Sequence, residues 1–517
     1  MKKLLVVLMA LCLLCAACTP QGADPTDNPT QNPTQGTTGS TEAGGTATPT
    51  PGFIWEGKYA SVNGEKVGIT LNSDTKDEAA SNVSFTISKD TEATLTLNDA
   101  LSGQFNYYSL LYKSTQPLWI YVGYEKDGAL YEELCFLDAA SEPKNFNSYI
   151  DGFMDGAVAA GFKSIRFDNR GDDTATIELV SLAVTKKDSI DGYVYLANDY
   201  IKIGADLVYG GALAYLSYVK EPVALVEMNG RAEVGIGYAD LVNADKIMST
   251  DVNLLNNYDP GRLVQQSYYG TNGANDDYEP GNFMGREWNY NPVMGGDRGL
   301  YHSKIVDFEL TDTHIYVKCR PMDWGKENSP TLSYMESTYS LDGRNLIVDN
   351  RFVDYSPYKH MTCNQELPAF YVIEPLYRLA YYEGSKTWTN DTLTFKDDLP
   401  FWDGIWPNFR SKENWWAWVN GDDDGFGLGL YVPNVTSVTG GIFQHDGKIK
   451  NDPAKSSPTS YIAPLTQLKL VNFKPLEYSY AITCGRLSEI RASIGVLAEN
   501  KVIDNSALRS YSRPSRG

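Results

Sequence analysis

The stretch Asp191–Val219, DGYVYLANDYIKIGADLVYGGALAYLSYV, decides how the rest of the chain is read. Apolar and polar residues alternate on both sides of Gly210-Gly211, the period of half-buried strands, and the glycine pair supplies the turn between them. A side chain at that pair would be strained if φ is positive. The same alternation recurs outward in both directions, in VSFTIS, ATLTLN, LWIYVGY, TIELVSLAV, HIYVKCR, NLIVDNRFVDY and GLGLYV, with Gly, Asn or Asp at the breaks. Only LSEIRASIGVLAEN, Leu487–Asn500, has the spacing of a helix. The expected class is all-β and mostly antiparallel, with few helices.

The N-terminus is of another kind. Two lysines, an apolar run and small residues before Cys18 predict a signal peptide over 1–17, too short to remain as a spanning helix. Ala16-Ala17-Cys18 resembles the bacterial lipobox, which implies acylation of Cys18 and a protein held on the outer face of the cytoplasmic membrane, at the cell surface, by its lipid alone. Residues 18–52 are Thr, Pro, Gly, Gln and Asn with almost nothing apolar, the composition of a disordered tether. A net charge of −21 argues against nucleic acid as a partner, since phosphate binding needs concentrated Lys and Arg. Cys135, Cys319, Cys363 and Cys484 are widely scattered and form no CxxC, so they read as buried free thiols rather than a disulfide framework or zinc site.

A first folded unit is expected over 53–187. Its last strands, SIRFDNRGDDTATIELVSLAVTKK, resemble the closing hairpin of carbohydrate-binding β-sandwiches of the galactose-binding-like jelly-roll type. That resemblance implies a sugar-binding module, with Trp119, Tyr107, Tyr108 and Tyr121 as candidate exposed aromatics. A second unit, 188–517, is similar to the galactose mutarotase-like supersandwich. The resemblance rests on the glycine-pair turn, on Asn253, Leu254, Asp259, Gly261, Arg262 and Gln265, and on SLDGRNLIVDNRFVDYS. It implies a large antiparallel β supersandwich of the kind that hosts epimerases, glycoside hydrolases and polysaccharide lyases, and so carbohydrate in general.

Four clusters carry the candidate chemistry. In NNYDPGRLVQQSYYG, Asp-Pro-Gly is a turn that presents Asp259. Alternation then puts Arg262, Gln266 and Tyr268 on one face and Gln265 and Tyr269 on the other. Buried amides and guanidinium groups need partners, which a lined cleft or a fixed network would supply. REWNYNPVMGGD adds Trp288, Asn291 and Asp297. In KHMTCNQELPAFYV, Glu366 stands before Leu367-Pro368, where a strand is expected to begin, beside His360, and is the first candidate for acid or base work. The fourth, LPFWDGIWPNFRSKENWWAW, holds Trp402, Trp406, Trp415, Trp416 and Trp418 among Asp403 and Glu413. The three tryptophans from Trp415 to Trp418 are not expected to point inward together on one strand.

Carboxylates, amides, arginine and aromatics are the ingredients of glycoside chemistry, in which one carboxyl protonates the leaving oxygen and a second acts as base or nucleophile. The expectation is a glycoside hydrolase acting on an extracellular poly- or oligosaccharide. Glu366 is one catalytic carboxyl, and Asp259, Asp297, Asp403 and Glu413 compete to be the other. Arg262, Gln265, Gln266, Tyr268, Trp288, Asn291, His360, Trp402, Trp406 and Trp415 are the candidates for sugar contact. A lyase using Arg262, His360 and Tyr268, and a non-catalytic glycan-capture protein, are the alternatives. No cofactor is expected; Ca2+ on Asp276, Asp277 and Glu279 is the minor option, its spacing not that of an EF-hand.

Overall fold

The computed structural model describes residues 53–511 apart from short stretches at 57–58, 63–64, 73–75, 78–82, 151–158, 186, 188–191, 275–276, 390, 398, 400–405, 422 and 445–449. Cys18, the tether, Asp276, Trp402 and Asp403 therefore lie outside the described residues. The chain is all-β, with strands throughout and Leu487–Glu499 as its longest described helix.

Strands from Phe53–Glu56 to Ala175–Thr185 form a twelve-stranded antiparallel sheet folded into two layers. Aromatic side chains of the two layers meet in the middle, Tyr108 against Phe162 and Phe85 against Phe167. In Leu118–Lys126 the alternation is real: Leu118, Ile120 and Val122 are buried, while Trp119 and Tyr121 are half-buried. The candidate aromatics of this sandwich are mostly engaged. Tyr108 is fully buried. The Tyr107 hydroxyl donates to Asp307 at 2.8 Å, and the Trp119 indole donates to the Tyr355 carbonyl at 3.0 Å, both across the junction with the second unit. Tyr121 lies under the Arg166 guanidinium, 3.7 Å from the ring centre.

The second unit begins with the meander Tyr193–Ala197, Ile201–Asp206 and Ala212–Tyr218. Gly210 and Gly211 sit at φ +63° and +77°, the left-handed conformation expected of that turn. Two large antiparallel sheets follow. The seven-stranded one runs, edge to edge, Met322–Asp323, Pro292–Val293, Gln265–Ser267, Thr362–Ile373, Thr459–Lys469, Ser437–Phe443, Asn408–Arg410. A nine-stranded sheet lies behind it, centred on Asn345–Asp354, Leu476–Arg486 and Phe426–Tyr431. The main core fills the space between them, where Tyr268 of the first packs on Phe352 of the second with ring centres 4.5 Å apart.

The tryptophan strand Trp415–Val419 splits its rings between two faces, as expected, yet leaves none of them for sugar contact. Trp415, Trp416 and Trp418 are all fully buried. Alternation does send them to opposite faces, but both faces of this strand are covered. Trp416 and Trp418 enter the core between the sheets, and Trp415 packs under the helix Leu487–Glu499, which lays Leu487, Ile490, Ile494 and Leu497 on the outer face. Glu413 is drawn into the same layer. Its carboxylate accepts from the Trp415 indole (2.8 Å), the Trp388 backbone N–H (2.6 Å) and the Arg491 guanidinium (2.8 Å).

Candidate functional site

The outer face of the seven-stranded sheet forms a cleft of about 270 Å³. What aims side chains into it is one surplus residue in Thr362–Ile373. Ser267 pairs with Glu366 but Gln265 with Ala369, and on the other side Leu465 pairs with Glu366 but Ile462 with Phe370. Both neighbours thus see a β-bulge just after Glu366, before Ala369 on one side and Phe370 on the other, and Pro368 sits inside it, a place where a strand tolerates proline. The bulge switches the phase of the strand. Glu366, Ala369 and Tyr371 all line the cleft, whereas Leu367, Phe370 and Val372 enter the core. Glu366 is therefore in the middle of a continuous strand, not at the start of one.

Glu366 lies at the floor, 8% exposed, beside Ser267, Val293 and Ala369. The Tyr269 hydroxyl donates to its Oε1 at 3.2 Å. Burial pushes its carboxyl up to about 7, and the hydrogen bonds from Tyr461 and Tyr269 draw it back only in part. Such a carboxyl holds a transferable proton near neutrality.

Aromatic rings make the two walls. Tyr371 and Tyr461 stack at 4.4 Å, with Trp406 against Tyr461 at 5.5 Å and Phe443 beside them. Opposite, Phe283 packs on Trp288 (5.2 Å) and Trp324 (5.7 Å). Asn291 sets that wall: its Oδ1 accepts from the Trp288 indole at 3.1 Å while its Nδ2 donates to the Tyr268 carbonyl at 2.7 Å.

The rim is the Asp259 turn. Asp259 Oδ1 accepts the Gly261 N–H at 3.0 Å, and its Oδ2 lies 3.4 Å from Arg262 Nε. Burial raises the Asp259 carboxyl, and Arg262 and the turn's N–H groups oppose the rise. A Cβ at Gly261 would stand 2.5 Å from the Trp324 ring, so a side chain here would push that wall aside. Arg262 precedes the strand Gln265–Ser267 and so escapes its alternation. It reaches across the cleft to the Ser457 carbonyl and hydroxyl, and stacks between Tyr258 and Phe443. Gln265 braces the rim, donating to the Pro260 carbonyl and accepting from the Gly295 N–H, each at 2.6 Å.

Of the residues singled out in the sequence, Glu366, Asp259, Arg262, Gln265, Trp288, Asn291 and Trp406 come together in this cleft. The other candidates among the described residues do not line it. Gln266 and Tyr268 face the inter-sheet core, where the Tyr268 hydroxyl donates to Gln266 and Gln266 donates to the Glu336 carbonyl and Ser337 hydroxyl. His360 is buried against Tyr290, with Nε2 2.9 Å from Asp354. Trp415 and Glu413 belong to the layer under the helix. Asp297 is fully buried and shapes a turn: it accepts the N–H groups of Gly299 (2.8 Å), Tyr301 (3.1 Å) and Asn328 (2.6 Å). That turn carries Arg298 and Leu300 to the cleft. Tyr269, Tyr371, Tyr461, Phe283, Trp324, Phe443 and Arg298 were not singled out. Tyr371 and Tyr461 sit in runs that read as ordinary strand, and the signal that could have found the bulge turning Tyr371 outward is Pro368 inside its run. Among the described residues, no group of three or more His, Cys, Asp or Glu gathers as a metal site.

Parts of this fold are similar to solved structures. A protein assigned as an aldose 1-epimerase, from Escherichia coli K12, matches 57% of the chain over 98% of its own, at 10% identity and a TM-score of 0.32. A galactose mutarotase related enzyme from Lactobacillus acidophilus matches 56% over 97% of its own, at 12% identity and a TM-score of 0.30. A family 29 carbohydrate-binding module matches 27% over 87% of its own, at 14% identity and a TM-score of 0.21. No family model and no curated protein matches the chain. At such identities no residue's role carries over.

Proposed function

We propose that the cleft binds a sugar and that the protein is a glycoside hydrolase. The observation that carries this is Glu366: a buried carboxyl, poised near 7, at the floor of a cleft walled by aromatic rings. Stacking on Trp288 and on the Tyr371–Tyr461 pair would hold a ring by its C–H faces. Glu366 then gives its proton to the glycosidic oxygen as the bond to the anomeric carbon breaks. Asp259, the other carboxyl lining the cleft among the described residues, is the proposed base or nucleophile.

The test is a panel of plant, fungal and bacterial glycans incubated with the chain from Phe53 onward, with products separated by chromatography. The expected outcome is cleavage of one glycan class, with Trp288→Ala weakening its binding roughly tenfold, as loss of one stacked ring implies. Unsaturated products absorbing in the ultraviolet would convert the reading to a lyase. Tight binding with no product would convert it to glycan capture.

Anchoring at the cell surface through Cys18 is part of the same proposal and rests on the leader's sequence. Labelled fatty acid is expected to enter the full chain and to be lost in Cys18→Ser; incorporation surviving that change would remove the anchor.

A further inference from the structure

Among the described residues the cleft is lined by two cations, Arg262 and Arg298, and two carboxyls, Asp259 and Glu366, in a chain whose net charge is −21. Arg262 is committed, to Asp259 and to Ser457. Glu366 carries its proton over the acid side of neutrality, so it offers Arg298 little counter-charge there. Among the described residues Arg298 has one ion-pair partner, Glu327, whose Oε1 lies 3.3 Å from Nη2 at the rim. Its Nε is shielded from solvent and finds no acceptor among the described residues. A buried donor left unpaired is a cost to the folded protein, one that a ligand oxygen can remove.

Arg298 is also held out to the cleft by a turn built for the purpose. Asp297 spends both carboxylate oxygens on backbone N–H groups of this turn and of Asn328, and Leu300 closes the turn at φ +66°. The side chain is 31% exposed, and Glu327, 58% exposed, is a weak surface partner that a ligand can displace.

We propose that Arg298 is a specificity-determining residue that selects a sugar bearing an oxyanion, a carboxylate or a sulfate ester, and that the ligand's anion replaces Glu327 by pairing with Nε and Nη2 together. A guanidinium fork binds such a group at two nitrogens, which Glu327 engages at only one. The inference rests on the sugar-binding reading of the cleft and names the substrate class within it.

Calorimetry on matched oligosaccharides tests it: xylo-oligosaccharide with and without a glucuronate branch, and galacto-oligosaccharide with and without a sulfate ester. For the wild type, one charged member is expected to bind at least about tenfold tighter than its neutral counterpart, with the gap narrowing as salt rises. The preferred arm identifies the oxyanion. The gap should close in Arg298→Gln and widen in Glu327→Gln, where the internal competitor is gone; a misfolded variant cannot produce that gain. Equal binding of charged and neutral members, both weakened by Trp288→Ala, would overturn the inference and leave the sugar cleft standing. So would a charge preference that ignores both substitutions. Failure of every sugar to bind would overturn the cleft reading as well.

Discussion

Replacing Glu366 by glutamine is expected to lower kcat on the cleaved glycan by about 10²–10⁴-fold, the usual contribution of a positioned general acid, while leaving Kd within a few-fold. Glutamine keeps an acceptor for the Tyr269 and Tyr461 hydroxyls but has no proton to give. In the wild type, turnover should fall as pH rises through about 7, because the donor form disappears there. Stability depends on pH at this position in the wild type and not in the variant. The folded state raises this carboxyl from its ordinary 4.5 to about 7, so the stabilisation that its protonated form provides is complete below 4.5 and is lost as pH rises through 7. Glu366→Gln loses nothing over that window, and above it should be the more stable protein by on the order of 3 kcal/mol. Wild-type turnover in the variant, or parallel melting curves at pH 5 and pH 9, would remove Glu366 from the role.

The second large effect lies in the layer under the helix. Glu413 is fully buried, Arg491 is 15% exposed at its side chain, and the two meet at 2.8 Å. Glu413→Ala strands the guanidinium and also orphans the Trp388 N–H and the Trp415 indole. Breaking a buried pair from one side costs about 3–5 kcal/mol. The melting temperature should fall by roughly 4–7 °C, given the unfolding entropy of a unit this large. Replacing both partners, Glu413→Leu with Arg491→Met, should recover part of the loss but not all, since two donors stay unpaired. Because Glu413 does not line the cleft, kcat measured well below the melting point should change little. A melting temperature within about 1 °C of wild type would show that the pair contributes only what exposed pairs do.

These two carboxylates mark what the chain displays and what it conceals. Alternation, turn residues and glycine pairs act locally, so the all-β class, the Gly210-Gly211 turn, the Asp259 turn and the terminal helix are legible along the chain. Which face of a strand meets the core depends on what covers it, and that is not local. Gln266 and Tyr268 look as available as Gln265, yet they satisfy one another inside the core. Trp415 looks surplus on an inward strand until the helix that covers it, some seventy residues on, is in place. Glu413, drawn beneath the same helix, reads as a cleft carboxylate for the same reason. Tyr371 and Tyr461 were hidden by their ordinariness.

The surplus residue between Glu366 and Ala369 has a consequence for how this protein can be altered. On a strand of unbroken phase, Glu366 would share a face with Phe370 and Val372, and the carboxyl would confront the core. Deleting a single residue from that segment would therefore exchange the inside and outside of half the strand at once, an inversion that no set of point substitutions reproduces. The chemistry of the cleft is written as much in a count of residues as in their identity, and length variants of this one segment are the edits to which it is most sensitive.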